Sequence, residues 1–177
     1  IGENLLQQAW SPCSGLFEAG LLQDLQVEAR SHEAAGNLKP AAIGRDHGRL
    51  LSSLRGDSSL WLDDPRCDSA SKAFLAQLEL LRKALNQSLL LGLETVEAHF
   101  AVYPAGAGYA RHRDRFRDDD ARIISLVCYL NPNWPQAAGG ELRLHLPEGV
   151  QDISPDMGTT VIFLSEEIEH EVLPATQ

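Results

Sequence analysis

The chain has 177 residues, 44% of them hydrophobic, and carries 15 Lys and Arg against 25 Asp and Glu, a net charge of −10. That length and apolar content suit one folded domain with a real core and exclude a disordered chain. The acidic balance repels nucleic acid and anionic lipid, which argues against both as partners and favours a basic protein or peptide.

In chain order, Leu16, Phe17, Leu21, Leu22, Leu25 and Val27 recur at helical spacing, predicting a helix from Ser14, its cap, to about Ala35. Lys39 to Trp61 is rich in Gly, Ser and charge, which predicts weak strands joined by a mobile loop. A second helix fits Ser69 to about Leu91, with Phe74, Leu75, Leu78, Leu81, Leu85 and Leu89 as its buried stripe. After Leu93 the period falls to two: Val96, Ala98, Phe100 and Val102 alternate with Glu97, His99, Ala101 and Tyr103. Further strands are expected at Tyr109–Arg113, Ile123–Leu130, Glu141–Leu146, Val150–Ile153, Thr159–Leu164 and Glu169–Leu173, separated by Gly, Pro and Asn turns. Helices followed by short, regularly spaced strands predict an α+β domain whose strands form a sandwich or jelly roll.

Cys13, Cys67 and Cys128 are odd in number, far apart and without C-x-x-C spacing, so neither a disulfide framework nor a thiolate zinc site is expected, and a reducing cytoplasm is. The longest apolar run, around Leu89 to Leu91, is far short of a membrane span, and no leader pattern opens the chain. Because residue 1 is Ile, the protein is expected to start before it.

The chemistry centres on His112 and Asp114. Residues i and i+2 of a strand share a face, so the pair can present an imidazole and a carboxylate to one point. A second imidazole, His170, lies 58 positions on, within Glu-Ile-Glu-His-Glu-Val-Leu-Pro on a separate strand. Two His and one carboxylate on one face, with other positions open, is the donor set of non-haem Fe(II) oxygenases. H-x-D alone is a common accident, and only the later His on another strand makes it a site. His99 shares the parity of Tyr103 and is expected in the core or behind the metal. His32, His47 and His145 lack convergent partners, and Asp118 to Asp120 reads as a solvated loop. Tyr129, in a near-continuous apolar strand, needs a partner for its hydroxyl: a ligand carboxylate or a backbone carbonyl.

Six motifs then occur in order: Arg55-Gly56-Asp57-x-x-x-Trp61, Tyr103-Pro104 with Gly106 and Gly108, Tyr109-x-Arg111-His112-x-Asp114, Tyr129-Leu130-Asn131, Gly139-Gly140-x-Leu142-Arg143, and His170-Glu171-Val172-x-Pro174. From Arg55 onward the chain resembles the prolyl hydroxylase domain family of Fe(II)- and 2-oxoglutarate-dependent oxygenases. It looks most like the bacterial branch, similar to the animal oxygen-sensing prolyl hydroxylases. The resemblance implies a double-stranded β-helix (jelly-roll) core buttressed by N-terminal helices. One oxygenase domain is then expected over 1–177, with 1–93 as helical support and substrate loop and 94–177 as the core. His112, Asp114 and His170 become catalytic iron ligands, with O2 as co-reactant and ascorbate as a candidate reductant. Tyr129 is implied to bond the distal carboxylate of 2-oxoglutarate and Tyr103 to cover it. Asp57, Trp61, Tyr109 and Arg122 are implied to face the substrate, with Arg122 and Asp57 pairing to close a lid.

By the same resemblance the substrate is a proline-containing protein or peptide, with elongation factor Tu as the bacterial candidate, and the enzyme acts as a monomer. The family's carboxylate-clamping Arg follows the His-Glu-Val motif closely and is not found by Gln177, so the chain is expected to continue beyond it. Two rivals stand beside this reading. One is a same-fold oxygenase of small molecules or other side chains; the other is a non-enzymatic metal-binding jelly roll. A cupin-type isomerase is disfavoured by the lack of H-x-H.

Overall fold

The computed structural model describes residues 1–41, 54–114 and 122–177. The centre of the expected mobile loop, His47 and the Asp118–Asp120 run lie outside these residues. The element order is α1 (Gly2–Gln8), β1 (Trp10–Pro12), α2 (Ala19–Ala34), β2 (Lys39–Pro40), β3 (Ser58–Trp61), α3 (Ser69–Leu89) and β4 (His99–Val102). Then follow β5 (Tyr109–His112), β6 (Ile124–Cys128), a 3-10 turn (Gln136–Ala138), β7 (Leu142–Leu146), β8 (Gly149–Ile153), β9 (Thr160–Leu164) and β10 (Glu169–Val172). Helices with antiparallel ladders give the expected α+β class.

The strands form three sheets, ordered β1-β9-β6, β5-β10-β7-β8 and β2-β3-β4. Leu142 and Leu144 of β7 meet Val161 and Phe163 of β9 in one buried cluster, with Val127, Tyr129 and Val172 packed against it. The first two sheets therefore face each other across an apolar layer. Ile162 points the opposite way and joins Leu5, Cys13 and Leu85 beneath the helices. Strand β9 is buried on both faces, which is why Thr-Val-Ile-Phe-Leu reads as a continuous apolar run rather than an alternating one. Burying a side chain such as Phe163 contributes about 1.5–3 kcal/mol.

Helix α3 packs Phe74 and Leu78 on Phe17, Leu22 and Leu25 from the α2 region and on Leu60 and Phe100 from the third sheet. Its N-terminus is satisfied from a distance. Asp68 makes no side-chain cap, and instead the Glu28 carboxylate of α2 accepts the Asp68 and Ser71 N–H groups and the Ser71 hydroxyl, at 2.6–3.0 Å. Two expectations are corrected here. Residues 14–18 form turns around Gly15, at φ 67°, so α2 begins behind Glu18 and Ser14 caps nothing. The short α1, with only Leu5 fully buried, was not expected at all.

Close backbone contacts set the strand that carries the site. A Cβ on Gly108 would lie 2.6 Å from the Val172 carbonyl oxygen, so only glycine lets the chain enter β5 this close to β10. Gly139 does the same at the other side of β10's exit, where a Cβ would sit 2.7 Å from the Pro174 carbonyl.

Candidate active site

Strands β5 and β10 pair antiparallel with His112 directly opposite His170, and their ring centroids lie 4.3 Å apart. Strand β5 stops at His112, so Asp114 arrives from a bend rather than from the strand. Its carboxylate still reaches the same point. Asp114 Oδ1 is 3.4 Å from His112 Nε2 and 3.7 Å from His170 Nε2.

Hydrogen bonds behind the rings fix which nitrogen faces inward. His112 Nδ1 meets the Ala110 carbonyl at 2.8 Å and His170 Nδ1 meets the Ile168 carbonyl at 3.3 Å. A carbonyl only accepts, so each Nδ1 carries a proton, and the metal-binding form of each ring presents a bare Nε2 toward Asp114. Two lone pairs and a carboxylate converging without a proton repel one another. A cation among them removes the repulsion, so the donors present fit a divalent metal held by two imidazoles and a carboxylate.

Behind Asp114 lies a feature the sequence did not reveal. Ser125 of β6 donates its hydroxyl to Asp114 Oδ2 at 2.6 Å. Because that hydroxyl has one proton, Ser165, 2.8 Å away and just after β9, must donate to Ser125. The two buried hydroxyls hold the carboxylate plane through the β6–β9 ladder. Burial pushes Asp114 toward protonation. Without a metal, a His112 ring that also carries a proton on Nε2 can hydrogen-bond the carboxylate, and together with the charge of a protonated His170 and the Ser125 hydroxyl this overcomes burial and holds the carboxyl below its usual range. His170 is shifted down, burial outweighing the attraction of Asp114.

Around this centre the other expected residues fall into two groups. Tyr109 stacks on His112, with centroids 3.6 Å apart and planes 19° from parallel, and the Arg55 guanidinium lies 4.9 Å over the Tyr109 ring. Arg55 in turn grips the buried Asp57 with two bonds of 2.6 and 2.9 Å. For Arg55 burial opposes the charge, but the Asp57 contacts outweigh it and raise its pKa. Asp57, Arg55, Tyr109 and His112 thus form one connected stack. Tyr103 and Tyr129 lie close enough to interact electrostatically, and burial raises both phenols. Among the described residues neither hydroxyl has a hydrogen-bond partner, so the carbonyl alternative for Tyr129 is not seen and its oxygen is available to a ligand.

Arg122 and Trp61 lie outside this stack. Arg122 does not pair with Asp57; it bonds Glu97 at 2.8 Å and approaches Asp114 Oδ1 at 4.0 Å, because Arg55 already occupies both Asp57 oxygens. Trp61 is 47% exposed, meets His99 edge-on at 5.1 Å and borders a groove of about 480 Å³ with Asp63, Leu75, Glu79 and Glu97. His99 is therefore exposed beside Trp61 rather than in the core, and it lies near enough to Arg55, Asp57 and Arg122 to feel their charges. His145 also has a partner, Glu171 at 3.0 Å. Arg111 and Glu169 pair across β5 and β10 at the rim.

A family model described as the 2OG-Fe(II) oxygenase superfamily matches residues 98–177. The crystal structure of a Pseudomonas putida prolyl-4-hydroxylase superposes with a TM-score of 0.91 at 42% identity, covering 100% of this chain and 91% of that one. The chain belongs to the 2OG-Fe(II) oxygenase superfamily. Fe(II), 2-oxoglutarate and O2 are the cofactor and cosubstrates of this superfamily, and the His112–Asp114–His170 cluster fits the iron. The chain is also similar to a Trichoplax adhaerens prolyl hydroxylase solved with a hypoxia inducible factor peptide fragment, at TM-score 0.87 and 25% identity over 99% of this chain and 82% of that one. Egl nine homolog 1 of Rattus norvegicus is 28% identical over 86% of this chain and 47% of its own length. The chain spans about half the length of the curated relatives it matches.

Proposed function

We propose that this protein is an Fe(II)- and 2-oxoglutarate-dependent prolyl 4-hydroxylase acting on a proline within a protein or peptide. The observation that carries the reading is the inward-turned Nε2 pair of His112 and His170 at the Asp114 carboxylate, in a chain that matches a prolyl-4-hydroxylase along its whole length. In this reading the two facing sheets are the halves of a double-stranded β-helix, with residues 1–93 as support and 94–177 as its core. His112, Asp114 and His170 hold the metal.

When bound, iron with 2-oxoglutarate and O2 supplies the oxidising chemistry, one oxygen atom going to the substrate C–H and the other leaving in succinate beside CO2. The chain's own part is geometry. The carbonyls of Ala110 and Ile168 keep both ligand nitrogens bare, and Ser165 and Ser125 fix the carboxylate. Tyr129 donates its phenol to the distal carboxylate of 2-oxoglutarate, which its raised pKa keeps protonated, and Tyr103 covers the cosubstrate. Tyr109 and Arg55, anchored by Asp57, offer an aromatic and cationic wall to the peptide, with Trp61 further along β3 and Arg122 beside the carboxylate ligand.

A peptide substrate is favoured by the Trichoplax relative, whose structure holds one. Elongation factor Tu is the protein to test first, on the strength of the bacterial resemblance. A monomer working in the cytoplasm completes the proposal, and three free cysteines fit such a reducing compartment. Incubating elongation factor Tu with the protein, Fe(II) and 2-oxoglutarate should add about 16 Da to one tryptic peptide, the mass of one oxygen atom. Fragment ions should put it on proline. Oxygen on another side chain, or none with small molecules turned over instead, would overturn the substrate assignment.

A further inference from the structure

A second donor cluster lies between α2 and the β3–α3 connection, away from the iron triad. Glu28, His32 and Cys67 are all buried, and their ligand atoms lie within 4.8 Å of one another. Glu28 has an ordinary explanation, since it caps α3. Its Oε1 accepts two hydrogen bonds, but Oε2 accepts only the Ser71 N–H and keeps a lone pair. His32 has no such explanation. Its side chain is 9% exposed, and among the described residues its Nε2 has no hydrogen-bond partner; Glu28 Oε1, at 3.9 Å, is too far. Cys67 sits at 2% exposure just before α3, with Sγ 3.4 Å from the Trp61 carbonyl oxygen.

We infer that Glu28, His32 and Cys67 form a zinc-class metal site, independent of the iron centre, that braces α2 against the end of β3. The donor chemistry selects the metal. A thiolate, an imidazole and a carboxylate make a borderline-soft set suited to tetrahedral zinc, and their combined charge of −2 neutralises a divalent cation in a site sealed from water. Zinc bonds of about 2.0–2.3 Å place donors roughly 3.5 Å apart, so the cluster must contract by about 1 Å. The Trp61 carbonyl borders the fourth position once the Cys67 thiol has lost its proton to the metal.

One local adjustment accompanies binding. Asn37 Nδ2 now faces His32 Nδ1 at 3.0 Å, oriented by Arg66, which donates to Asn37 Oδ1 at 3.2 Å. Turning that amide lets Oδ1 accept from Nδ1–H and frees Nε2 for the metal, at the loss of one exposed hydrogen bond. The site escapes a reading by spacing because a lone cysteine in the β3–α3 connection is joined to residues 39 and 35 positions away on α2.

The test is Co(II) titration of the metal-free protein. The iron triad contains no sulfur, so a thiolate-to-Co(II) charge-transfer band in the near ultraviolet reports this cluster alone. The expected result is a band of one equivalent, displaced by Zn(II), retained in C13S, C128S and the double variant H112A/H170A, and lost in C67S. His32→Gln should weaken binding at least about tenfold, and Asn37→Asp, which can only accept, should tighten it several-fold. If C67S does not fold, the His32→Gln affinity and zinc-edge absorption of the wild type, with one sulfur scatterer, decide the matter. No band in the wild type, a band surviving in C67S, or a band lost with the iron ligands would overturn the assignment.

Discussion

Replacing Ser125 by Ala removes the 2.6 Å hydroxyl bond to Asp114 Oδ2 and leaves Ser165 without its acceptor. Hydrogen bonds to a charged partner are worth about 1.5–3 kcal/mol, and the cost is greater where the carboxylate is buried and no water replaces the donor. Most of that loss should fall on metal binding, because among the described residues the Ser125 hydroxyl bonds only the Asp114 carboxylate and Ser165. A 10–100-fold weaker Fe(II) affinity is expected, with the KM for 2-oxoglutarate changed less than about twofold once iron saturates. The assay is anaerobic Fe(II) titration, followed by cosubstrate kinetics at saturating metal. Ser125→Thr, which keeps the hydroxyl, should restore most of the affinity. Unchanged metal affinity in Ser125→Ala, or a loss that Thr does not rescue while the fold is intact, would refute the role assigned to the hydroxyl chain.

Three further outcomes follow from particular contacts. Tyr129→Phe should raise the 2-oxoglutarate KM about tenfold, the value of one hydrogen bond to a charged group, without altering iron affinity or melting temperature, since the hydroxyl has no described partner to lose. Leu144, fully buried between the sheets, should cost 2–5 kcal/mol on substitution by Ala, read by denaturant unfolding of the metal-free protein. Burial works to raise the Glu28 pKa, but the hydrogen bonds from Ser71 and Asp68 hold it below its ordinary 4.5. Near that pH the unfolded chain then binds more protons than the folded one, so the contribution is complete above the ordinary value and is lost as pH falls through the lowered one. Glu28→Gln should therefore flatten the acid limb of the stability profile; an unchanged limb would show that Glu28 is not the group responsible.

What the sequence made legible were features with local signatures. Helix α3 is visible in its Leu stripe, β9 in its apolar run, and the triad in H-x-D plus a later His on a separate strand. Partnerships decided by tertiary packing were hidden. Ser125 and Ser165 are unremarkable letters until β6 pairs with β9. Arg122 and Asp57 looked complementary, yet Arg55, two residues from Asp57 and held over Tyr109, takes both carboxylate oxygens first. Glu28 and His32 are four residues apart on one face of α2, a spacing that says little until Cys67, from the connection before α3, closes on them. Helix α1 was missed because seven residues with one buried side chain carry too little periodicity to register.

The central claim is that His112, Asp114 and His170 hold the iron of a prolyl hydroxylase. Its most direct test is hydroxylation of a proline-containing substrate protein under oxygen-18 gas, read by fragment mass spectrometry for wild type and His170→Ala side by side. The account predicts one oxygen-18 atom on a prolyl residue with wild type, matched by stoichiometric succinate, and neither with His170→Ala. Label on prolyl residues from His170→Ala, or wild-type succinate release with oxygen never reaching proline, would contradict it.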